Sequence, residues 1–133
     1  MLALTVASRV CGAARRSAAS LSSFAIGHDG AVPSTSSRSP LSGIRVLDLT
    51  RVLSGPHCTR MLCDLGADIV KIEPPAGDLT RFSSPRRNGL SSYFVQQNTG
   101  KRNLSIDLGS AAGSALLLDL VEHADVLIEN YRP

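Results

Sequence analysis

The sequence predicts an α/β fold: an open, mostly parallel sheet with helices on its faces. Apolar, β-branched runs of strand length alternate with runs whose apolar residues recur at helical spacing. The order is strand, helix, strand, then a loop, then strand, helix, strand. A strand–helix–strand unit of this length joins two parallel strands through a right-handed crossover, so two such units favour a parallel sheet.

The first unit consists of a strand at residues 43–49, a helix at 57–65 and a strand at 67–73. Pro56 can occupy the first helical position, where its missing N–H group costs no hydrogen bond. Gly66 is a natural helix stop. The helix is expected to have one apolar face, formed by Met61, Leu62 and Leu65.

The second unit follows a proline- and glycine-rich loop at residues 74–91 and a possible helical turn within 92–102. It consists of a strand at 103–108, a helix at 110–123 and a strand at 124–130. The helix is predicted to bury a stripe made of Leu116, Leu117, Leu120 and Val121. Gly113 weakens this helix slightly.

The formal charge of +3 comes from the first 40 residues, which hold four arginines and one acidic residue. Residues 41–133 hold ten basic and ten acidic residues and are neutral. A neutral body argues against nucleic-acid binding, which needs a basic surface. No run of 18 apolar residues is present, so no membrane-spanning segment is predicted.

Residues 1–40 are predicted to be an import signal followed by a disordered linker, and are left out of the predicted fold. They are rich in Ala, Ser and Arg, and the first acidic residue is Asp29. This composition is typical of organelle transit peptides. It favours import into the mitochondrial matrix, with the plastid as the lesser alternative and a disordered tail without a role as the other.

The three cysteines do not predict a metal site or a disulfide. Cys58 and Cys63 are five positions apart, so on a helix they would point about 140° away from each other. No histidine lies at metal-ligand spacing from them. They are predicted to be reduced thiols that pack as small apolar residues.

Ligands of open α/β sheets bind at the carboxyl ends of strands, which here are residues 50–55, 73–77 and 130–133. The first of these also begins a helix, whose amides favour an anion. Both glycine fingerprints for nucleotides are missing, and no residue pattern identifies a catalytic group. The spacing therefore predicts a possible anion site and no more.

The charged side chains nearest these strand ends have simpler interpretations. Asp48, within a strand, is expected to bind backbone or an arginine. Four cations could meet phosphates but are more simply solvated surface charges: Arg86, Arg87, Lys101 and Arg102.

A resemblance adds what spacing does not. The segment LSGIRVLDLTRVLSGPHCTRMLCDLGADIVKIEPPAGDLTR closely resembles the opening of the family III CoA-transferases. The similarity continues through SSYFVQQNTGKRNLSIDL and ADVLIENYRP, and so covers residues 41–133. It implies a Rossmann-like sheet with helices on both faces, incomplete in this chain, and an interlocked homodimer for the longer protein.

The resemblance also implies the chemistry. CoA passes from an acyl-CoA to a free carboxylate through an aspartyl anhydride, with the CoA thioester as substrate and no permanently bound cofactor or metal. By similarity, Arg51, Val52 and Leu53 line the thioester end of CoA, Ile106 touches the adenine region, and Asn130 and Tyr131 pack on CoA. Pro74 stands where some members have a CoA-binding arginine.

Three alternatives remain open at this point. Together with the import signal, the resemblance favours members that move CoA between succinyl-CoA and a dicarboxylate, and Arg51 and Leu53 differ from the His and Gln of formyl- or oxalyl-specific members. An α-methylacyl-CoA racemase is the closest rival. Because the family's nucleophilic aspartate is expected beyond residue 133, the chain by itself is expected to be inactive, or to be a non-catalytic CoA-binding piece.

Overall fold

A computed structural model describes residues 3–5 and 39–131. Its strands are β1 Ala3–Thr5, β2 Arg45–Asp48, β3 Asp68–Glu73, β4 Arg86–Arg87, β5 Leu90–Ser91, β6 Arg102–Ser105 and β7 Val126–Glu129. Its helices are α1 Ser54–Asp64, α2 Ser92–Asn98 and α3 Ala111–Glu122, with a 3₁₀ turn at Leu79–Phe82.

The main sheet has the order β1-β7-β2-β3-β6, and its last four strands are parallel to one another. Read from the β6 edge, these four strands are the third, second, first and fourth along the chain, which matches the first four strands of the Rossmann order. The chain winds outward from β2 to β3 and β6, then crosses back through α3 to β7 on the other side of β2. The predicted fold class is confirmed, and the strand order reverses between β2 and β7.

Apolar residues pack on both faces of the sheet. Val46, Ile69 and Ile128 point to the side of α1, where Leu62 and Cys63 pack against them. The other face holds a second buried cluster of Leu47, Leu49, Ile72 and Ile106. Alternation along the strands sends successive residues to opposite faces. Helix α1 packs on the first face and α3 on the second, so helices cover both sides as predicted.

Helix α1 differs from its prediction in its start and in its buried face. It begins at Ser54, so Pro56 is its third residue. Its buried residues are Gly55, Pro56 and Thr59, while Met61 is 55% exposed and Leu65 45% exposed. The predicted apolar face is therefore wrong for those two residues. The physical reason is that the first turn of α1 packs on polar groups of the sheet, described below, which apolar periodicity does not report.

Helix α3 follows its prediction more closely. Leu117, Leu120 and Val121 pack against the buried cluster, but Leu116 is 44% exposed, which corrects one member of the stripe. Gly113 is buried, and a side chain there would overlap the carbonyl group of Asp107. Gly113 has a low helix propensity, but its lack of a side chain lets α3 approach the preceding loop.

Two parts of the chain hold more structure than predicted. Ala3–Thr5 pairs antiparallel with Leu127–Glu129 and adds a fifth strand, although residues 1–40 were left out of the predicted fold. An unpaired strand edge offers N–H and C=O groups that a short extended segment can satisfy. The predicted loop contains the 3₁₀ turn and the β4–β5 hairpin.

Other sequence predictions concern thiols, metals and membranes. Cys58 and Cys63 are free thiols, as predicted, and Cys11 lies outside the described residues. Within residues 3–5 and 39–131 no group of side chains could hold a metal ion. In the same part of the chain, no helix has the length and apolar character needed to cross a bilayer.

Candidate functional site

A cleft of about 530 Å³ lies where the strand order reverses, at the carboxyl ends of β2 and β7. Its lining residues are Arg51, Val52, Leu53, Ser54, Leu79, Asn130 and Tyr131. We call it the switch-point cleft. The volume is within the usual range for small-molecule sites, and a reversal of strand order is the usual place for a ligand in open α/β sheets.

Five of the six residues assigned by resemblance line this cleft: Arg51, Val52, Leu53, Asn130 and Tyr131. The sixth, Ile106, is only 4% exposed and lines a neighbouring cavity of about 220 Å³ at the ends of β3 and β6. Arg51 and Tyr131 line both cavities, so the six residues follow one continuous surface. Pro74 lines the smaller cavity.

The turn that joins β2 to α1 has an unusual backbone. Val52 has φ +72°, a left-handed conformation that β-branched residues avoid. Leu53 precedes the first helical residue and offers no capping side chain. The first amides of α1 therefore lack a side-chain acceptor and, with the helix dipole, favour an anionic group in the cleft.

The side chain of Asn130 fixes the position of Arg51. Its Oδ1 accepts a hydrogen bond from Arg51 N at 2.8 Å, and its Nδ2 donates to Arg51 O at 2.9 Å. The guanidinium of Arg51 lies 5.0 Å from the centre of the Tyr131 ring, within cation–π range. Both polar atoms of the Asn130 amide are occupied by these hydrogen bonds. The side chain therefore stabilises the shape of the cleft and is not a free donor to a ligand.

Below the turn, Asp48 anchors a buried polar network. Its carboxylate accepts from Thr50 N at 2.9 Å and from the hydroxyl of Thr59 at 2.6 Å, and it lies 3.0 Å from Lys101 Nζ. Gly55 belongs to the same arrangement, because a side chain there would overlap Thr50. The predicted backbone contact of Asp48 is confirmed by the Thr50 amide, and its cationic partner is a lysine and not the alternative arginine.

The prediction of a solvated surface charge is wrong for one of the four cations, Lys101. The side chain of Lys101 is 1% exposed, so it is not a solvated surface charge. Burial lowers the pKa of Lys101, and the nearby Asp48 opposes that shift. Arg102 is exposed and pairs with Asp68 at 2.5 Å, and Arg86 and Arg87 are exposed.

Sequence reasoning missed a second buried pair. Lys71 is 1% exposed and Asp78 is fully buried, with 3.4 Å between Lys71 Nζ and Asp78 Oδ2. Lys71 Nζ also donates to the carbonyl of Thr50 at 2.7 Å. One signal was available: Lys71 interrupts the apolar strand DIVKIE, and in a parallel sheet it stands in register with Asp48.

Glu73, at the end of β3, accepts hydrogen bonds from residues that follow it in the chain. Its carboxylate accepts two hydrogen bonds from Arg81, one from Asp78 N at 2.8 Å and one from Asn103. Arg81 stacks 3.9 Å from the centre of the Phe94 ring. Burial by itself would raise the pKa of Glu73, but the hydrogen bonds and positive charge of Arg81 and the Asp78 amide outweigh it, and the pKa is lowered.

The arrangement suits binding better than covalent chemistry. Five acidic side chains of the described residues lie near the cleft or line the smaller cavity: Asp48, Glu73, Asp78, Asp107 and Glu129. The first three are buried with the partners given above, and Glu129 accepts from Tyr131 N at 2.7 Å. Asp107 is exposed, and its Oδ1 accepts from Gly109 N at 3.0 Å. Arg51, the α1 amides and Tyr131 can hold an anion and an apolar group side by side.

Comparison with known proteins gives consistent matches. Residues 41–133 match the family described as CoA-transferase family III. A succinyl-CoA:mesaconate CoA-transferase of Haloarcula hispanica is 47% identical over 97 residues, which cover 69% of this chain and 24% of that protein. A succinyl-CoA:glutarate CoA-transferase of Mus musculus is 43% identical over 99 residues, which cover 73% and 23%.

Solved structures agree with the sequence matches. A CAIB/BAIF family protein from Brucella suis superimposes with a TM-score of 0.67 at 42% identity, covering 71% of this chain and 26% of that one. The chain therefore spans about a quarter of the length of the relatives that it matches.

Proposed function

The chain belongs to CoA-transferase family III, and on that premise we propose that the full-length protein transfers CoA from an acyl-CoA donor to a free carboxylate. The observation that carries the proposal is the switch-point cleft. In it, Arg51, the left-handed Val52 and the start of α1 meet Asn130 and Tyr131, which come from the far end of the chain. A thioester ligand has anionic and apolar parts, and the cleft presents matching groups for both.

The two cavities suggest how CoA lies. The turn at Arg51, Val52 and Leu53 faces the thioester end. The smaller cavity, with Ile106 on its floor and Tyr131 on its wall, takes the adenine region. Tyr131 is 41% exposed, so its ring is available to stack on a base while Arg51 packs on it.

The reaction that we propose has two transfers. An aspartate of the protein attacks the carbonyl carbon of the acyl-CoA, the carbon–sulfur bond breaks and CoA leaves as thiolate, forming a mixed anhydride. The acceptor carboxylate then attacks the aspartyl carbonyl carbon of this anhydride, the donor acid leaves as its carboxylate, and a second mixed anhydride forms. CoA thiolate attacks the acceptor's carbonyl carbon in this second anhydride, which gives the new thioester and releases the aspartate carboxylate. Asp48 and Asp78, the aspartates beside the cleft, are buried with partners, and following the resemblance we assign this aspartate to a part of the protein outside residues 39–131.

The substrates proposed are succinyl-CoA and a dicarboxylate such as glutarate or hydroxymethylglutarate. The Haloarcula and mouse relatives are both named for succinyl-CoA as donor and for a dicarboxylate as acceptor. The turn residues Arg51 and Leu53 also differ from the His and Gln of formyl- or oxalyl-specific members.

The test is an assay of the full-length protein for two reactions. We expect succinyl-CoA and glutarate to yield glutaryl-CoA and succinate in equal amounts, and an exchange of the α-proton of a 2-methylacyl-CoA to be absent. Proton exchange without CoA transfer would replace the proposal by the racemase. CoA binding with neither reaction would favour the non-catalytic alternative.

We also propose that residues 1–40 direct the protein to mitochondria, because they are rich in Arg, Ser and Ala and nearly free of acidic residues. The test is to fuse these residues to a fluorescent protein and image the cells. Diffuse cytosolic fluorescence would contradict the proposal. Cleavage after import would also remove Ala3–Thr5, the strand at the β7 edge of the sheet.

A further inference from the structure

Three separate segments line the switch-point cleft, and we call two of them its walls; the third is Asn130 and Tyr131. One wall is the turn at residues 50–53, which follows β2 and lines the cleft with Arg51, Val52 and Leu53. The other wall is Leu79, which lies in the 3₁₀ turn after β3 and is 69% exposed. The distance between these walls decides which ligand can fit, so a contact that joins them has a direct effect on binding.

Lys71 joins the two walls from below. Its ammonium donates to the carbonyl of Thr50 at 2.7 Å on one side and lies 3.4 Å from Asp78 Oδ2 on the other. Asp78 begins the 3₁₀ turn, and its Oδ1 accepts from Thr80 N at 2.9 Å and from the Thr80 hydroxyl at 2.8 Å. The carboxylate that pairs with Lys71 therefore also sets the position of Leu79.

Every polar group of Thr50 has a hydrogen-bond partner. Its N–H and hydroxyl donate to Asp48 and its carbonyl accepts from Lys71, all in a fully buried position. Arg51 follows, with both backbone groups held by Asn130. With these two residues fixed, the chain enters the left-handed conformation at Val52 instead of relaxing to a common one.

An apolar residue would fill the place of Lys71 at a lower desolvation cost. A buried ammonium needs a partner, and replacing a buried ion pair by apolar residues of similar volume is often neutral for stability or better. The pair is thus poorly explained by stability alone. The two contacts of Lys71 are made with Thr50 and Asp78, the residues that directly precede Arg51 and Leu79 of the cleft lining.

We propose that Lys71 and Asp78 are positioning residues that join the two walls of the switch-point cleft and hold the 50–53 turn in the conformation that binds the acyl-CoA. The proposal rests on the function proposed above. It assigns no contact between Lys71 and the substrate, because the ammonium acts through the Thr50 carbonyl.

The experiment compares two double variants of the full-length protein. Lys71→Met/Asp78→Asn removes both charges, and Asn at 78 keeps an oxygen for Thr80. Arg102→Met/Asp68→Asn makes the same chemical change at the exposed pair between β6 and β3, and serves as the control. Three quantities are measured: KM and kcat with succinyl-CoA, CoA affinity by calorimetry, and hydrogen exchange at the amides of Thr50 and Arg51.

For Lys71→Met/Asp78→Asn we expect KM and the CoA dissociation constant to rise about tenfold while kcat changes less than about threefold. The Thr50 and Arg51 amides should exchange faster, and the control variant should match the wild type in every readout. Unchanged KM and unchanged exchange in a folded Lys71→Met/Asp78→Asn protein would overturn the proposal.

Two further outcomes remain decisive. If the wild type binds no CoA, the proposed function fails, but the exchange rates of Thr50 and Arg51 still test whether Lys71 holds the turn. If the Lys71→Met/Asp78→Asn protein does not fold, the test uses the wild type alone. The exchange rates of its Thr50 and Arg51 amides are then compared with those of its own β4–β5 hairpin. Thr50 and Arg51 amides that exchange as fast as those of the exposed β4–β5 hairpin would show that the turn is not held.

Discussion

Val52 is the residue whose backbone departs most from what its side chain prefers. Its φ of +72° is left-handed, and its side chain is 51% exposed, so little burial compensates for the strain. A left-handed conformation costs a residue with a Cβ about 1–2 kcal/mol relative to glycine. The conformation persists because the contacts of Thr50 and Arg51 with Asp48, Lys71 and Asn130 impose it.

We therefore predict that Val52→Gly is more stable than Val52→Ala by about 1 kcal/mol, because glycine adopts the turn without strain. Both variants remove the same exposed side chain apart from one methyl group. The measurement is the midpoint of thermal unfolding of the full-length protein. Equal midpoints would mean that the turn relaxes and that Val52 carries no strain.

Asn130 gives a second prediction at this scale. Asn130→Ala deletes both hydrogen bonds to the Arg51 backbone, which water can partly replace at this half-buried site, so stability should fall by about 1 kcal/mol. We expect the larger effect in KM for the acyl-CoA, raised severalfold at nearly constant kcat. Tyr131→Phe is the control, since it keeps the ring that Arg51 packs on, and an unchanged KM in Asn130→Ala would contradict the role assigned to the amide.

The site residues show what a single sequence can and cannot predict. The strand-end rule brought residues 50–55 and 130–133 to one edge, and the structure places residues 51–54, Asn130 and Tyr131 around one cleft. It could not predict that Lys101 is buried, because the partner that stabilises its charge, Asp48, lies 53 positions earlier in the chain. Burial of a charge depends on such distant partners, and spacing along the chain does not report them.

At the scale of elements, the predicted strands and helices all exist, with ends that differ by a few residues. The strand predicted at 43–49 is Arg45–Asp48, and the helix predicted at 110–123 is Ala111–Glu122. The short hairpin Arg86–Arg87 with Leu90–Ser91 was missed because two-residue strands have no periodicity to detect. The buried side of α1 was missed because it packs on the polar network around Asp48.

Glu73 connects three elements, and its ionisation makes that connection depend on pH. The carboxylate at the end of β3 binds Arg81 of the 3₁₀ turn and Asn103 of β6, and Lys71 and Asp78 face it as well. Its pKa is lowered in the fold. A carboxyl group of this kind stabilises the fold above its unfolded pKa of about 4.3 and loses that contribution as the pH falls toward the folded value.

We therefore predict that Glu73→Gln lowers stability at pH 7, by about 1–3 kcal/mol, because Arg81 loses its ionic partner. The difference from wild type should shrink as the pH falls below about 4, where the wild-type carboxylate also becomes protonated. Thermal midpoints measured between neutral and acidic pH test this. Glu122→Gln, at an exposed position of α3, is the control and should run parallel to the wild type, whereas a Glu73→Gln deficit that persists unchanged in acid would contradict the assignment.

At the scale of the whole molecule, the order of the strands explains why the cleft exists. The chain leaves β2 toward β3 and later returns to the other side of β2, so the loops after β2 and β7 diverge and leave a space between them. The same molecule exposes large apolar side chains away from this space. They are Phe82, Leu90 and Val95 around the hairpin and α2, and Leu116 and Leu118 on α3.

The last prediction concerns the 133-residue chain expressed alone. Exposed Phe82 and Leu90, at 62% and 61%, and Leu118, at 68%, are surfaces that a soluble domain of this size would normally cover. We expect the chain to self-associate at micromolar concentrations and to bind a hydrophobic dye. Light scattering across a dilution series should show the mass rising with concentration, and Phe82→Lys/Leu90→Lys should reduce that rise without changing the circular dichroism. The matched control is Arg86→Ser/Arg87→Ser on the same hairpin, which removes charge but no apolar area. A chain that stays monomeric throughout the series would show that these side chains do not drive association, and CoA binding by such a monomer would show that the switch-point cleft is complete within the 133 residues.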